Sequence, residues 1–183
     1  MDSRYIGSEY PTEDTYKRPD PYHRDTIEDL GEVHMEWLKH DYKPLPLVHH
    51  DEPVLGYTLP HFDFKDPKID PKQLAIDLYS TMRYNNGVGI AANQVGLMYR
   101  VFILYGGPVR AIFNPEVIDY SLTKVKMDEG CLSFPKLFLN VERPKALKVK
   151  YQTATGREQI STFHGTTARI FLHELDHLNG IEF

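Results

Sequence analysis

The stretch Thr166-Thr167-Ala168-Arg169-Ile170-Phe171-Leu172-His173-Glu174-Leu175-Asp176-His177-Leu178-Asn179-Gly180 decides how this chain is read. It is almost continuously apolar apart from the group at 173–177, and Asn179-Gly180 is a good helix stop. It therefore predicts a helix over 166–180, buried on most sides. On that helix His173 and His177 stand four residues apart, about 40° in azimuth and about 6 Å in rise. Both imidazoles can reach one metal ion from the same face, with Glu174 beside them, which is the HExxH arrangement. Ionisable groups are rarely set into an apolar helix without a partner, and a metal ion is such a partner.

Two histidines leave a four-coordinate catalytic site incomplete, because a third protein ligand is needed. Only six residues follow His177, and Glu182 among them lies beyond the helix-stopping Gly180, so it is a poor candidate. The ligand must come from upstream, and the single cysteine, Cys131, is the best choice. A thiolate binds Zn²⁺ or Fe²⁺ strongly, and coordination keeps it deprotonated.

Working outward, Asp70 can cap a helix that Pro71 opens, with Leu74, Leu78 and Met82 recurring every fourth residue and Asn85-Asn86-Gly87 ending it. Residues 44–55 (PLPLVHHDEPVL) read as extended. Residues 97–105 and 109–115 read as strands flanking a Gly106-Gly107-Pro108 turn, and 146–153 and 158–163 as a hairpin around Thr155-Gly156. Residues 137–141 (LFLNV) alternate weakly. The sequence thus predicts an α+β fold, with antiparallel β-sheets packed around a central C-terminal HExxH helix and a further helix upstream.

The 183 residues carry 21 basic and 26 acidic side chains, a net charge of −5. Residues 1–44 hold eleven acids and six bases, whereas 45–183 hold fifteen of each, so the whole formal charge lies in the first quarter. That quarter opens with little apolar content and reads as an acidic extension, extended or disordered, with a short amphipathic helix at about 26–40. The helix packs on its own domain or docks on a partner. The net negative charge argues against nucleic acid, since phosphate binding needs clustered Lys and Arg, and no nucleic acid is expected as a partner. No apolar run approaches the roughly 20 residues of a membrane span, and no signal or transit peptide is evident, which points to the cytoplasm. One cysteine excludes an intramolecular disulfide and fits a reducing compartment.

Three motifs carry a family resemblance. Glu129-Gly130-Cys131-Leu132-Ser133 is similar to the EGCLS motif of peptide deformylases, and His173-Glu174-Leu175-Asp176-His177 to their HExDH. Gly87-Val88-Gly89-Ile90-Ala91-Ala92-Asn93-Gln94 resembles their GxGxAAxQ stretch. The resemblance covers about residues 45–183 as a catalytic domain and leaves 1–44 outside. It implies that Cys131, His173 and His177 bind one divalent metal ion, Fe²⁺ in the cell, with Zn²⁺, Ni²⁺ or Co²⁺ as substitutes in purified protein. It implies that Glu174 handles the proton, and that the Gln94 amide and the Leu132 backbone N–H stabilise an oxyanion. Val88, Gly89 and Gly130 would bind substrate, the Gly89 carbonyl holding its main chain and Val88 lining a methionine pocket. The implied reaction removes the formyl group from N-formylmethionyl peptides as formate, with transient contact to the ribosome or nascent chain.

The chemistry is consistent with those roles. Metal coordination lowers the pKa of bound water to about 7 from 15.7, and preorganised donors suit a tetrahedral oxyanion. Asp176 is placed to orient a metal-bound histidine, or else to pair with a buried arginine, Arg143 first and Arg169 second. The glycines of the 87–94 stretch could form a simple turn, or let an extended peptide add alongside the backbone.

Two departures stand out. Leu172 replaces the Gln that usually precedes the first histidine in this family. The chain also stops soon after the HExDH helix, where longer members continue into a segment that is a candidate for ribosome docking. Shortened members of this kind resemble those encoded by bacteriophages, which would place the protein in a host cytoplasm. Two other functions compete: an HExxH metallopeptidase with an upstream ligand, and a non-catalytic binding protein on an inherited scaffold. His49 and His50 are a weak adventitious metal risk.

Overall fold

The computed structural model describes residues 44–106 and 109–181. The expected helix at 26–40, nearly all of the acidic extension, the Gly107-Pro108 part of the first turn and Glu182 lie outside the described residues.

The upstream helix, α1 (Pro71–Tyr84), forms where its end signals put it. The Asp70 carboxylate accepts the Lys72 backbone N–H at 2.9 Å, Pro71 opens the helix, and Leu74, Leu78 and Met82 are wholly buried. Asn86 ends the run in the left-handed region, at φ 57°.

Five antiparallel strands then form one sheet in the order β1-β2-β3-β6-β7, and two more form a separate hairpin, β4-β5. The strands are β1 (Gly89–Ala91), β2 (Val101–Tyr105), β3 (Val109–Tyr120), β4 (Lys124–Cys131), β5 (Phe134–Pro144), β6 (Ala146–Gln152) and β7 (Glu158–His164). The last element is α2 (Gly165–Leu178), capped by Asn179. The architecture is α+β, as the sequence predicts.

Strand β2 explains its own composition. Val101, Phe102, Ile103 and Leu104 are all fully buried, so the run needs no polar alternation. Both helices pack against β1 and β2. Phe171 of α2 meets Phe102 edge-on at 5.0 Å between centroids and stacks with Phe163 of β7 at 5.2 Å. The helix that carries the histidines is therefore the central beam of the core. Ala168, Phe171, Leu172, Leu175 and Leu178 are buried in it. Leu172, which replaces the usual polar residue, packs in this apolar cluster and joins no polar network among the described residues.

Three boundaries differ from the sequence expectation. The strand expected from 97 begins only at Val101. The strand expected to end at 115 continues to Tyr120 through an irregular register after Phe113, where Asn114 takes φ 50°. Strand β4 has no counterpart in the sequence reading, because six of its eight residues are exposed and its charges interrupt the apolar signal. Its partner β5 extends the weak 137–141 segment to eleven residues.

Truncating Phe171 to Ala should cost about 3–5 kcal/mol, as expected for a fully buried aromatic. Urea unfolding followed by circular dichroism measures this; a loss below about 1 kcal/mol would mean that α2 is not the central packing element.

Candidate active site

The site is built where the end of β4, the β1 region and one face of α2 meet. Cys131 closes β4, and its Sγ lies 3.2 Å from His177 Nε2. His173 and His177 sit one turn apart on α2, with ring centroids 5.1 Å apart. One ligand atom from each of Cys131, His173 and His177 falls within 4.8 Å of the others. The two histidines and the cysteine singled out in the sequence are thus brought together, from positions 42 and 46 residues apart in the chain.

The His173 ring is oriented by a neighbour. His173 Nδ1 lies 3.1 Å from Glu129 Oε2, so ligation by this ring would use Nε2. Burial alone would lower the His173 pKa, but hydrogen bonds with Cys131 and Glu129 outweigh it and raise the imidazole to about 10. Burial pushes His177 the other way, down to about 3. The thiol and the Glu129 carboxylate draw positive charge to this corner of the site. That polarity suits a cation held among the three groups.

Glu129 is the hub of this arrangement. Its carboxylate accepts from Arg143 Nε at 2.7 Å and Arg143 Nη2 at 2.9 Å, and from Arg169 Nη1. Burial would raise its pKa, but these donors and His173 hold it down at about 2. Arg143 Nη1 also reaches Asp176 Oδ2 at 2.7 Å. Of the two roles open to Asp176, the structure gives it the arginine pair; the carboxylate on the His173 ring is Glu129. Arg169 pairs with Glu129 rather than Asp176 and also donates to the carbonyls of Val141, at 3.0 Å, and Val125. The role of Glu129 was legible in principle. It precedes Cys131 by two residues on a strand, so both point to one face, and Arg169 precedes His173 by four on a helix.

Glu174 is buried, and its Oε2 has no hydrogen-bond partner among the described residues. Burial raises its carboxyl to about 7, where a group can both take and give a proton near neutrality. Gly89 lies against it, and a Cβ added at Gly89 would come within 2.2 Å of Glu174 Oε1. Gln94 sits in the 3₁₀ turn Ala92–Val95. Its Oε1 accepts the Ala91 N–H at 2.9 Å, while its Nε2 donates to Ser133 Oγ at 3.0 Å and lies 3.6 Å from Cys131 Sγ. The amide orientation is thereby fixed, with its N–H groups toward the cysteine.

The far end of the helix is held as well. Asn93 Nδ2 donates to the His177 carbonyl at 2.7 Å, Leu59 N–H to the Leu178 carbonyl at 2.8 Å, and Arg100 Nη1 to that same carbonyl at 3.1 Å. Helix-terminal carbonyls lack partners within the helix, and a cation there complements the dipole. Asn93 and Arg100 thus fix the turn that carries His177; neither stood out in the sequence, because each looks like an ordinary loop residue.

A cavity of about 410 Å³ opens over these groups. Val88, Gly89, Gly130, Leu132, Gln94 and Cys131 line it together with His173 and Glu174. Val88 is half exposed on its wall, and Phe138 lies across Gly130. Strand β1 is the sheet's edge, paired only with β2 among the described residues. The glycines of the 87–94 stretch therefore lead into an edge strand beside the cavity as well as forming the turn after α1.

A thiol and two imidazoles beside a buried carboxylate with an unsatisfied oxygen form the layout of a mononuclear metal centre, and the donor set fits Zn²⁺ or Fe²⁺. The polypeptide deformylase family profile matches residues 44–183, and the chain belongs to that family. It is 44% identical over 106 residues to the peptide deformylase of Thermotoga maritima, covering 57% of this chain and 64% of that one. It is 42% identical over 118 residues to that of Pseudothermotoga lettingae, covering 63% and 69%. The chain thus spans just under two thirds of the length of the Thermotoga relative. Among solved structures, the Met-Ala-Ser-bound class I type b peptide deformylase of Acinetobacter baumannii superposes with a TM-score of 0.73 at 36% identity, covering 78% of this chain and 97% of that one. The Thermotoga maritima enzyme gives 0.72 at 36% identity, covering 76% and 94%.

Replacing Gly89 with Ala should push the Glu174 carboxylate aside. On the role proposed for Glu174 below, turnover should fall by about 10²-fold, since displacements near 1 Å at a reacting group cost that much. Metal content and unfolding midpoint should stay near wild type. Full activity in the folded variant would mean that the Gly89–Glu174 contact is unimportant.

Proposed function

We propose that this chain is a metal-dependent hydrolase that removes the N-terminal formyl group from formylmethionyl peptides and releases formate. The observation that carries the proposal is the convergence of Cys131, His173 and His177 beside the buried, unpartnered Glu174 Oε2, in a chain of the polypeptide deformylase family. One divalent ion, Fe²⁺ in the cell and Zn²⁺, Ni²⁺ or Co²⁺ in purified samples, would be held by those three side chains. When bound, the ion supplies Lewis acidity and makes water a usable nucleophile near pH 7.

Glu174 takes a proton from the attacking water at its carboxylate and later delivers it to the departing amine as the C–N bond breaks. The Gln94 Nε2–H and the Leu132 backbone N–H stabilise the oxyanion that forms on the formyl oxygen. A preorganised donor of this kind is worth about 3–4 kcal/mol of barrier. Gln94 is suited to this because its Oε1 is tied to Ala91 and cannot swing into the site. The edge of β1 and Gly130 hold the peptide main chain, as strand addition allows. Val88 and the neighbouring apolar wall receive the methionine side chain. The Met-Ala-Ser bound to the Acinetobacter baumannii relative is a peptide of the corresponding product type.

Arg143 and Asp176 act at one remove, holding Glu129 and so the His173 ring. The partners are nascent formylated chains, met transiently at the ribosome, and the location is cytoplasmic. No helix among the described residues is long and apolar enough to cross a membrane.

The test is formate release from formyl-Met-Ala-Ser with metal analysis on the same sample. Formate should appear without internal peptide cleavage, stop on chelation and return when Fe²⁺ or Ni²⁺ is restored. Glu174→Gln should lose about 10²–10⁴-fold in turnover while retaining its metal. Cys131→Ala should lose most of its metal. Endoproteolysis without formate would point to the metallopeptidase alternative, and wild-type turnover by Glu174→Gln would overturn the role of that carboxylate.

A further inference from the structure

We propose that His49, His50 and Asp51 form a second divalent-cation site, on the surface, for a borderline transition metal such as Zn²⁺ or Ni²⁺. One ligand atom from each of these three residues lies within 4.8 Å of the others. Both rings turn Nδ1 to the same carboxylate. His50 Nδ1 lies 2.9 Å from Asp51 Oδ1, and His49 Nδ1 lies 3.3 Å from Asp51 Oδ2. The Asp51 backbone N–H also points at His49 Nδ1, at 3.4 Å. A metal ion can take the place of the proton that each Nδ1 would otherwise share with the Asp51 carboxylate. Two imidazoles and a carboxylate are a donor set that suits Zn²⁺, Ni²⁺ or Cu²⁺, with water completing the shell.

The site is preorganised by its surroundings. Val48 N–H donates to the Gln94 carbonyl at 2.9 Å, and Glu52 N–H closes a turn onto the His49 carbonyl at 3.0 Å. The 3₁₀ turn Pro53–Gly56 follows, anchored by the buried Leu55. The His49 and His50 rings lie 4.1 Å apart between centroids, and His50 stacks on Phe134 at 5.8 Å. The backbone bonds fix the turn and the ring contacts restrict the histidine rotamers, order that binding would otherwise have to impose.

The position gives the site a consequence. Val48 is bonded to Gln94, and Phe134 follows Ser133, whose hydroxyl accepts from the Gln94 amide. A cation at 49–51 would brace the two segments that hold Gln94. It shares no ligand with the Cys131 centre, and it does not depend on the reaction proposed above.

Full-length protein with its first metal equivalent already bound is titrated with Zn²⁺ by calorimetry, with elemental analysis after desalting. Wild type should take up a further equivalent and unfold at a higher temperature as that equivalent binds. The His49→Ala/His50→Ala double variant should bind this equivalent at least about tenfold more weakly, since even outer-shell losses at metal sites cost 10–100-fold. Its formate release without added Zn²⁺ should equal that of wild type, because both side chains are exposed and outside the catalytic cluster. Asp51→Asn should also weaken uptake and leave the fold intact. Equal uptake by wild type and double variant, or no second equivalent in either, would overturn the proposal.

Discussion

The Glu129 carboxylate is the constraint on which the rest of the site depends. It is buried, yet it is met by Arg143, Arg169 and His173. Breaking one partner of a buried ion pair typically costs about 3–5 kcal/mol, because the other charge is left without compensation. Here that penalty falls on a junction between separate elements. Glu129 belongs to the β4-β5 hairpin, Arg143 to its return strand, and Arg169 and His173 to α2. The hairpin is a two-stranded sheet with much of its surface exposed, and such a sheet has little stability of its own. The charge cluster sets where the hairpin lies on the helix, and with it where Cys131 meets His173 and His177.

From that anchor the remaining groups fall into place through short links. Cys131 is two residues from Glu129 on the same strand face. Ser133 lies just beyond and accepts from Gln94, whose other amide atom is held by Ala91. Gly89, two residues before Ala91, lies against Glu174. At the other end of the helix, Asn93 and Arg100 hold the carbonyls of His177 and Leu178. The apolar packing of Phe102, Phe163 and Phe171 keeps α2 in one position, and the polar contacts at both ends keep its histidines in one orientation.

The parts legible in the sequence were those governed by local rules. The α1 helix was readable from a cap, a proline and a four-residue repeat. The HExxH pair was readable because helical spacing is regular and its apolar setting unusual. The β6-β7 hairpin was readable from Thr155-Gly156, where Gly156 takes φ 78°. What escaped was governed by distant partners. Strand β4 exposes most of its residues, so it shows no alternation that single-strand patterning could detect. Sequence proximity offers Asp176, three residues along the same helix, as the carboxylate for His173; the one that serves it, Glu129, lies 44 residues earlier and is signalled only by its spacing from Cys131. Asn93 acts through a carbonyl 84 residues away, and nothing in its local sequence signals that. The two arginine candidates both lie in the network, but Arg169 serves Glu129 rather than Asp176.

The central claim is that one metal ion is held by a sulfur from β4 and two imidazole nitrogens from α2. X-ray absorption at the metal edge of Zn²⁺-reconstituted protein tests this most directly. One sulfur near 2.3 Å and two imidazole nitrogens near 2.0–2.1 Å in the first shell are the expected result, following usual zinc distances. A first shell of oxygen and nitrogen alone, with no sulfur scatterer, would contradict it.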